Sequence, residues 1–339
     1  MSRTPSDVTV QKSELGPMTK LGRGGQATVF KLSTLPPIPG AEGQYVFKRY
    51  HREILDESGH SLATTMPQLI LHPDAMSEDD QKFVRRHTVW PQGLVVDNGT
   101  AQGILMKLIP DPFFFDLEFG GVGPSEKTLL EVQYLMAPES KKPERGIPSA
   151  TAKDRLFLIL DVLRIVDFLH RNGLVIGDFS PKNLVVTNPA KGVASSGKKF
   201  TPKFLDVDAF RFAGGVPPIK QMHTPNWFPP EVRAAAVLRD ELVAQGASQV
   251  DISRARAAAN IQTNKSDIFK MGLLTLRLLH IPRDPNEDDT QSVYISPTAS
   301  SNIERLVNPQ RARLLRSMLD TDPSSRPSAH DVLAAFSGK

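Results

Sequence analysis

The 339-residue sequence contains no cysteine. That excludes disulfides, thiol catalysis and cysteine-ligated zinc sites, and it fits a cytoplasmic protein. A long uninterrupted apolar run is also missing. The most apolar stretch, Leu156 to His170, is broken by Asp161, Arg164 and Asp167. Its apolar residues (Leu156, Leu160, Leu163, Ile165, Val166, Leu169) recur at helical spacing, which predicts a core helix rather than a membrane span. The N-terminus, MSRTPSDVTVQKSELG, has no apolar centre and does not read as a signal peptide. No membrane partner is therefore expected. Charge of one sign is scarce too: Lys and Arg number 41 against 37 Asp and Glu, for a net charge of +4 without a concentrated basic block. This balance gives no support to a nucleic-acid partner. The 40% hydrophobic and 23% charged residues are ordinary for a soluble globular chain able to bury a substantial core.

No internal repeat is present. Up to about residue 110 the pattern reads as strands: Thr19 to Gly24, Ala27 to Leu32, Tyr45 to Tyr50, Gly93 to Asp97 and Gly103 to Ile109. A helical or irregular stretch separates the third from the fourth, and LSTLPPIPGAEG (Leu32 to Gly43) reads as a Pro/Gly hairpin loop. Beyond residue 125 the expected helices are Glu126 to Met136, Ala152 to Arg171, Glu231 to Gln245, Ser266 to His280, Asn308 to Leu319 and Ala329 to Phe336. Short β segments at Leu174 to Ile176, Leu184 to Val186 and Lys203 to Val207 interrupt them. Strands followed by helices predict an α+β chain in two lobes. Segments 137–150, 188–202 and 283–300 read as surface insertions, and 234–262 as extra helix.

Leu21-Gly22-Arg23-Gly24-Gly25-Gln26-Ala27-Thr28-Val29 lies between two expected strands. Glycines let a backbone approach phosphate oxygens and aim N–H groups at them, although a plain hairpin turn uses the same residues. Because a strand and not a helix follows, this is not a dinucleotide fingerprint. Val29 stands where an apolar side chain covers a flat base. Lys48, inside Tyr45-Val46-Phe47-Lys48-Arg49, reads alone as a surface lysine. Paired with an upstream glycine loop it reads as a clamp on the α- and β-phosphates.

The segment from His170 to Val186 ends a helix at Asn172-Gly173, forms a short strand, and then carries Asp178 and Asn183 five positions apart before another strand. Lys203-Phe204-Leu205-Asp206-Val207-Asp208 follows, with carboxylates at a strand end. Phosphoryl transfer uses such a set. One carboxylate orients the hydroxyl, while an amide oxygen and a second carboxylate hold Mg²⁺ on the phosphates.

Together these motifs resemble the eukaryotic-like Ser/Thr protein kinase superfamily, particularly its divergent bacterial members, over residues 18 to 336. The resemblance implies a bilobal kinase-like fold, with a small β-rich N-lobe (18–109) after an N-terminal extension (1–17), and a larger helical C-lobe (110–336). It implies ATP and Mg²⁺ as cofactors and a protein bearing Ser or Thr as substrate. Gly22, Gly24 and Gly25 fall in the glycine-rich loop, with Val29 beside the base. Lys48 matches the strand lysine, and Met106 precedes the hinge Lys107 to Pro110. Asp178 matches the catalytic Asp, Asn183 the metal-binding Asn, and Asp206 the Asp of the metal-binding triplet. Thr224-Pro225-Asn226-Trp227-Phe228-Pro229-Pro230-Glu231 resembles the end of the activation segment. Asp267 resembles the buried helical Asp that anchors the catalytic loop, and Arg326 the arginine that pairs with the Glu at 231.

The chain departs from that pattern in instructive ways. Ile176-Gly177-Asp178 replaces His-Arg-Asp, which removes the cation that reads a phosphorylated activation loop. Between Asp206 and Glu231 the single hydroxyl residue is Thr224. Both features predict a kinase that is not switched on by loop phosphorylation. Ser180 stands where the family has a catalytic-loop lysine, with Lys182 two residues on. Ala27 replaces the third loop glycine. Asp206-Val207-Asp208 replaces Asp-Phe-Gly, with Asp208-Ala209-Phe210 as the other register, and Asp208 reads as a second metal ligand or a solvated loop acid. The helical Glu expected to pair with Lys48 is missing from Ala63 to Gln68. Glu57 is the nearest upstream candidate and Glu78 a more distant one, and the pair cannot be assigned. Besides an active kinase, two other readings fit: a pseudokinase that binds nucleotide as a scaffold, and a small-molecule phosphotransferase.

Overall fold

A computed structural model describes residues 3–121, 123–192, 198–260, 262–279 and 309–337. The expected insertion 283–300 and the expected helix start at Asn308 lie outside the described residues. Helices and a six-stranded sheet occur together, so the chain is α+β. Residues group into two compact units. Unit 1 comprises Met1–Pro110 with Lys203–Gln221, and unit 2 comprises Asp111–Pro202 with Met222–Lys339. Residues 203–221, expected with the helical region, thus belong to the β-rich unit.

Unit 1 is built on β1 (Thr9–Gln11), β2 (Met18–Arg23), β3 (Ala27–Leu32), β4 (Tyr45–Tyr50), β5 (Pro91–Asp97) and β6 (Thr100–Lys107), in the order β1-β5-β6-β4-β3-β2. The first 17 residues, set apart in the sequence, contribute β1, which lies parallel to β5. The β5–β6 turn is Asn98-Gly99, both with positive φ (49° and 78°), the conformation a tight two-residue hairpin demands. Side chains alternate between the faces of a sheet, and paired residues share a face. Phe30, Phe47 and Leu105 lie in register on one face, in a core with Val10, Leu15, Leu32, Ile38, Tyr45 and Val95. Val29, Lys48 and Ile104 form one row of the opposite face, and Lys31, Val46 and Met106 the next.

Between β4 and β5 run α1 (Arg52–Leu71) and α2 (Glu78–His87). Leu62, Met66, Leu69 and Ile70 form an i, i+4, i+7, i+8 apolar stripe on α1, buried together with Ser58 and Pro67. Acidic residues open α2 and basic residues close it, as the helix dipole favours.

In unit 2, β7 (Phe114–Leu117) and β8 (Glu126–Leu129) form an antiparallel pair. The helix expected over Glu126 to Met136 is therefore wrong: only α3 (Val132–Leu135) is helical. Leu129, Val132 and Leu135 have helical spacing, but the Phe114–Leu129 cross-strand pair and the Lys127 ammonium, 5.1 Å from the Phe114 ring, hold the first half extended. The expected surface insertion 137–150 is partly packed, since Lys142 and Ile147 are buried. Helix α4 (Ala152–Arg171) starts on a Thr151/Asp154 capping box, and Gly173, at φ 73°, ends it. Then come β9 (Leu174–Val175), β10 (Leu184–Val186), α5 (Pro230–Ala244), α6 (Gln249–Asn260), α7 (Asn264–Leu279), α8 (Pro309–Met318) and α9 (Ala329–Ser337). Helix α7 is buried nearly all round and packs against α4 and α8. No helix among the described residues is long and apolar enough to cross a membrane.

Glycine is required at Gly103 for a reason that does not apply to the loop glycines. A Cβ on Gly103 would lie 2.1 Å from the Lys48 carbonyl oxygen and 2.9 Å from the Phe47 ring. On Gly22 or Gly25 it would meet nothing within 4 Å. Gly103→Ala is expected to cost about 1–3 kcal/mol by overpacking. Gly22→Ala and Gly25→Ala should each stay within about 0.5 kcal/mol of wild type. Urea unfolding midpoints check this, and equal losses at all three positions would contradict it.

Candidate functional site

In unit 1 the segment Lys203–Gln221 delivers two carboxylates to β4. Its leading strand, Pro202–Phe204, is anchored by the buried Lys203, whose ammonium donates to the Arg85 carbonyl (2.7 Å) and the Thr88 carbonyl (3.2 Å) at the C-terminus of α2. Burial, with Arg86 nearby, lowers the Lys203 pKa to about 8. After the strand, Asp206 adopts the left-handed conformation (φ 51°, ψ 39°), sparsely populated for a non-glycine residue, and Val207–Ala209 form one 3₁₀ turn. That turn places two aspartates on one lysine. Lys48 Nζ donates to Asp206 Oδ1 at 2.9 Å and lies 3.1 Å and 2.8 Å from Asp208 Oδ1 and Oδ2.

The two aspartates differ in surroundings. Asp206 has a side chain 43% exposed, and its Oδ2 has no partner among the described residues. Asp208 is fully buried, and its Oδ2 also accepts from the Tyr50 hydroxyl at 2.5 Å. The solvated-acid alternative for Asp208 is thereby excluded, and both of its oxygens are engaged within the unit. Burial pulls the Lys48 pKa down, but the two carboxylates outweigh it and hold the ammonium above its ordinary value. Burial first, then the Asp208 charge, push the Tyr50 hydroxyl well above its usual pKa. Tyr50 shares the sheet face of Lys48, a signal that the lysine-x-tyrosine spacing carried in the sequence. Neither carboxylate proposed on the helices reaches Lys48: Glu57 pairs with Lys220 at 3.2 Å, and Glu78 with Lys82 at 3.1 Å.

Gly22, Gly24 and Gly25 lie in the β2–β3 hairpin, where the pairing shifts register between Lys20 and Gly22. His51, just after β4, fastens the loop: its backbone N–H donates to the Gln26 carbonyl at 2.8 Å, and its ring lies 3.0 Å from the Gly25 carbonyl. Val29 and Met106 are half-buried on the sheet face that carries Lys48.

In unit 2 the loop that carries Asp178 and Asn183 rests on α7. Thr263 opens this helix by exchanging hydrogen bonds with Ser266, so Asp267 lies within the helix rather than capping it. The fully buried Asp267 carboxylate accepts from the Ile176 N–H (2.8 Å), the Gly177 N–H (3.0 Å) and His170 Nε2 (3.1 Å). Gly177 has φ 74°, a conformation that suits glycine at this position. One turn along α7, the buried Lys270 ammonium donates to the Gly177 carbonyl (2.5 Å) and to Gln262 Oε1. Burial lowers its pKa to about 8. Gln262 Nε2 in turn donates to the Met222 carbonyl at 3.1 Å.

Asp178, on this fixed backbone, accepts from the Thr224 hydroxyl at 3.0 Å and from the Asn183 amide at 3.1 Å. The Asn183 amide also donates to the Asp178 carbonyl at 2.9 Å, and Asn183 Oδ1 has no partner among the described residues. Ser180 is fully buried, and its hydroxyl has no partner among the described residues, while Lys182 is exposed. Arg326 and Glu231 form a two-pronged ion pair (2.9 and 2.7 Å), with the arginine 1% exposed. The sequence did not point to Lys270 and Gln262. Lys270 is legible in hindsight as the residue one helical turn from Asp267; Gln262 carries no sequence signal.

A scan against protein-family models finds none that matches the chain, and a search of curated proteins finds no match.

His223 gives a pH test of this region. Its Nε2–H donates to the Ala259 carbonyl at 3.2 Å, its ring stacks on Phe228, and Nδ1 is buried without a partner among the described residues. Burial, then the nearby Lys270 charge, lower its pKa to about 4. The unfolded chain, with an imidazole pKa of about 6.5, takes up a proton that the folded chain refuses. This contribution to stability is complete above pH 6.5 and is lost as the pH falls through about 4. Wild type is therefore expected to lose stability relative to His223→Phe between pH 6.5 and 4 in urea unfolding. Parallel pH curves for the two proteins would contradict it.

Proposed function

We propose that the chain is an ATP- and Mg²⁺-dependent protein kinase that phosphorylates Ser or Thr, with the bilobal kinase-like fold and membership of the divergent bacterial kinases that its motifs suggest. The observation that carries this reading is Asp178: its carboxylate meets a hydroxyl and an amide on a backbone gripped by buried Asp267. A carboxylate held this way is suited to orient a substrate hydroxyl and take its proton. Unit 1 supports the nucleotide side of the reading. Lys48 carries a charge for phosphate oxygens, the loop glycines are not demanded by packing, and Val29 and Met106 offer apolar contacts on the same face.

The residues also fit Mg²⁺, which keeps much of its water and needs only one or two carboxylates beside the phosphates. In unit 1 the open atom is Asp206 Oδ2; in unit 2 it is Asn183 Oδ1. Bound at either atom, an ion would neutralise charge on the transferring phosphoryl group.

The same reading includes independence from loop phosphorylation. Lys270 and Gln262 tie the Gly177 carbonyl to the Met222 carbonyl, and Thr224 bonds Asp178, so the segment is held without a phosphate. A second reading, a nucleotide-binding scaffold without turnover, is favoured by Ser180: the buried hydroxyl supplies no cation for the γ-phosphate.

Protein coexpressed with a phosphatase and given labelled ATP, Mg²⁺ and a protein mixture is expected to transfer label. Asp178→Asn should be slower by about 100-fold or more. Equal incorporation by both proteins sinks the catalytic assignment. Activity that appears only after Thr224 is phosphorylated sinks the unregulated loop.

A further inference from the structure

Phosphate binding by a buried lysine requires that the lysine stay charged and that its direction be fixed, which takes a permanent carboxylate. On α1, where such a carboxylate was expected, the residues from Ala63 to Gln68 supply none. Glu57 is bound to Lys220, and the buried stripe of the helix is Ser58, Leu62 and Met66. We infer that Asp208, braced by Tyr50, is the positioning carboxylate for Lys48, so that this task has passed from α1 to the segment that also carries Asp206.

The geometry separates the roles of the two aspartates. Asp208 is buried, receives Lys48 on both oxygens, and is fixed from the other side by the Tyr50 hydroxyl, itself 3% exposed. Asp206 contacts the same lysine through one oxygen and keeps the other open. Tyr50 and Lys48 lie two residues apart on one strand and face, so both groups that hold Asp208 come from a single rigid element. The 3₁₀ turn after Asp206 is closed by the Ala209 N–H on the Asp206 carbonyl (3.0 Å) and the Phe210 N–H on the Val207 carbonyl (2.9 Å). Gln221 Nε2 adds a bond to the Ala209 carbonyl (2.8 Å), which seats the turn. Lys48 thus receives its orientation whatever the position of α1. The inference rests on the kinase reading of the site.

Its test is a double-mutant cycle of Lys48→Met, Asp208→Asn and the pair, read by kcat and KM for MgATP and by affinity for a fluorescent ATP analogue. Thermal unfolding verifies that each variant is folded. If Asp208 acts through Lys48, each single variant loses about 100-fold in kcat/KM, and the double variant is no worse than the poorer single one. Asp208→Glu should recover part of the loss. Glu57→Gln should stay within about twofold of wild type, since it removes only an exposed ion pair. Losses that multiply in the double variant, an active Asp208→Asn, or a loss in Glu57→Gln equal to that of Asp208→Asn would each overturn the inference while leaving the kinase reading standing. A folded wild type that neither transfers phosphate nor binds the analogue overturns both.

Discussion

A charge taken out of water has to be matched by charges and donors placed inside the protein, and that constraint organises both units. Desolvating an ammonium or a carboxylate costs several kcal/mol even after relaxation. Each buried charge therefore fixes the elements that satisfy it. In unit 1 one buried charge is Lys48, and satisfying it requires the segment Lys203–Gln221 to present Asp206 and Asp208 to β4. In unit 2 two such charges are Asp267 and Lys270, one turn apart on a helix buried nearly all round. One gathers backbone N–H groups and the other a backbone carbonyl from the same short loop. Arg326 does similar work for Glu231 and also bonds the carbonyls of Asp320 and Lys265. The positions proposed to carry chemistry are thus held by groups that packing leaves little freedom to move.

The same constraint explains why some glycines are structural and others are not. Gly177 sits where Asp267 and Lys270 take its N–H and carbonyl and where φ is 74°. Gly103 yields its side-chain space to the Phe47 ring and the β4 backbone. The loop glycines Gly22 and Gly25 meet no such demand, and their open surroundings are what a phosphate-approaching backbone needs.

Much of this was legible in the sequence because it is fixed by local spacing. Ala152–Arg171 is bounded by a Thr cap and an Asn-Gly end, and the structure gives the same limits. Asp178 and Asn183 lie on one loop, so their hydrogen bond follows from proximity in the chain. The rest depends on contacts that no local pattern encodes. Lys48 and Asp208 lie 160 residues apart, and what brings them together is a left-handed turn at Asp206. In linear form Asp208 is only a second acid two residues after Asp206, which is why it reads as a metal ligand or a solvated residue. The strand at Glu126–Leu129 was misread for a related reason, since its partner Phe114–Leu117 lies outside the window in which periodicity is judged. The parallel pairing of β1 with β5 likewise joins distant segments.

In the proposed site Lys48 and Asp206 are the groups that meet nucleotide phosphate and its cation, while Asp208 stays inside holding the lysine. A crystal structure of the chain with a non-hydrolysable ATP analogue and Mg²⁺ tests it most directly. Phosphate oxygens are expected on Lys48 Nζ, the cation on Asp206 Oδ2, and Asp208 still bonded to Tyr50 and Lys48. A cation coordinated by Asp208, or a nucleotide bound away from Lys48, would contradict it.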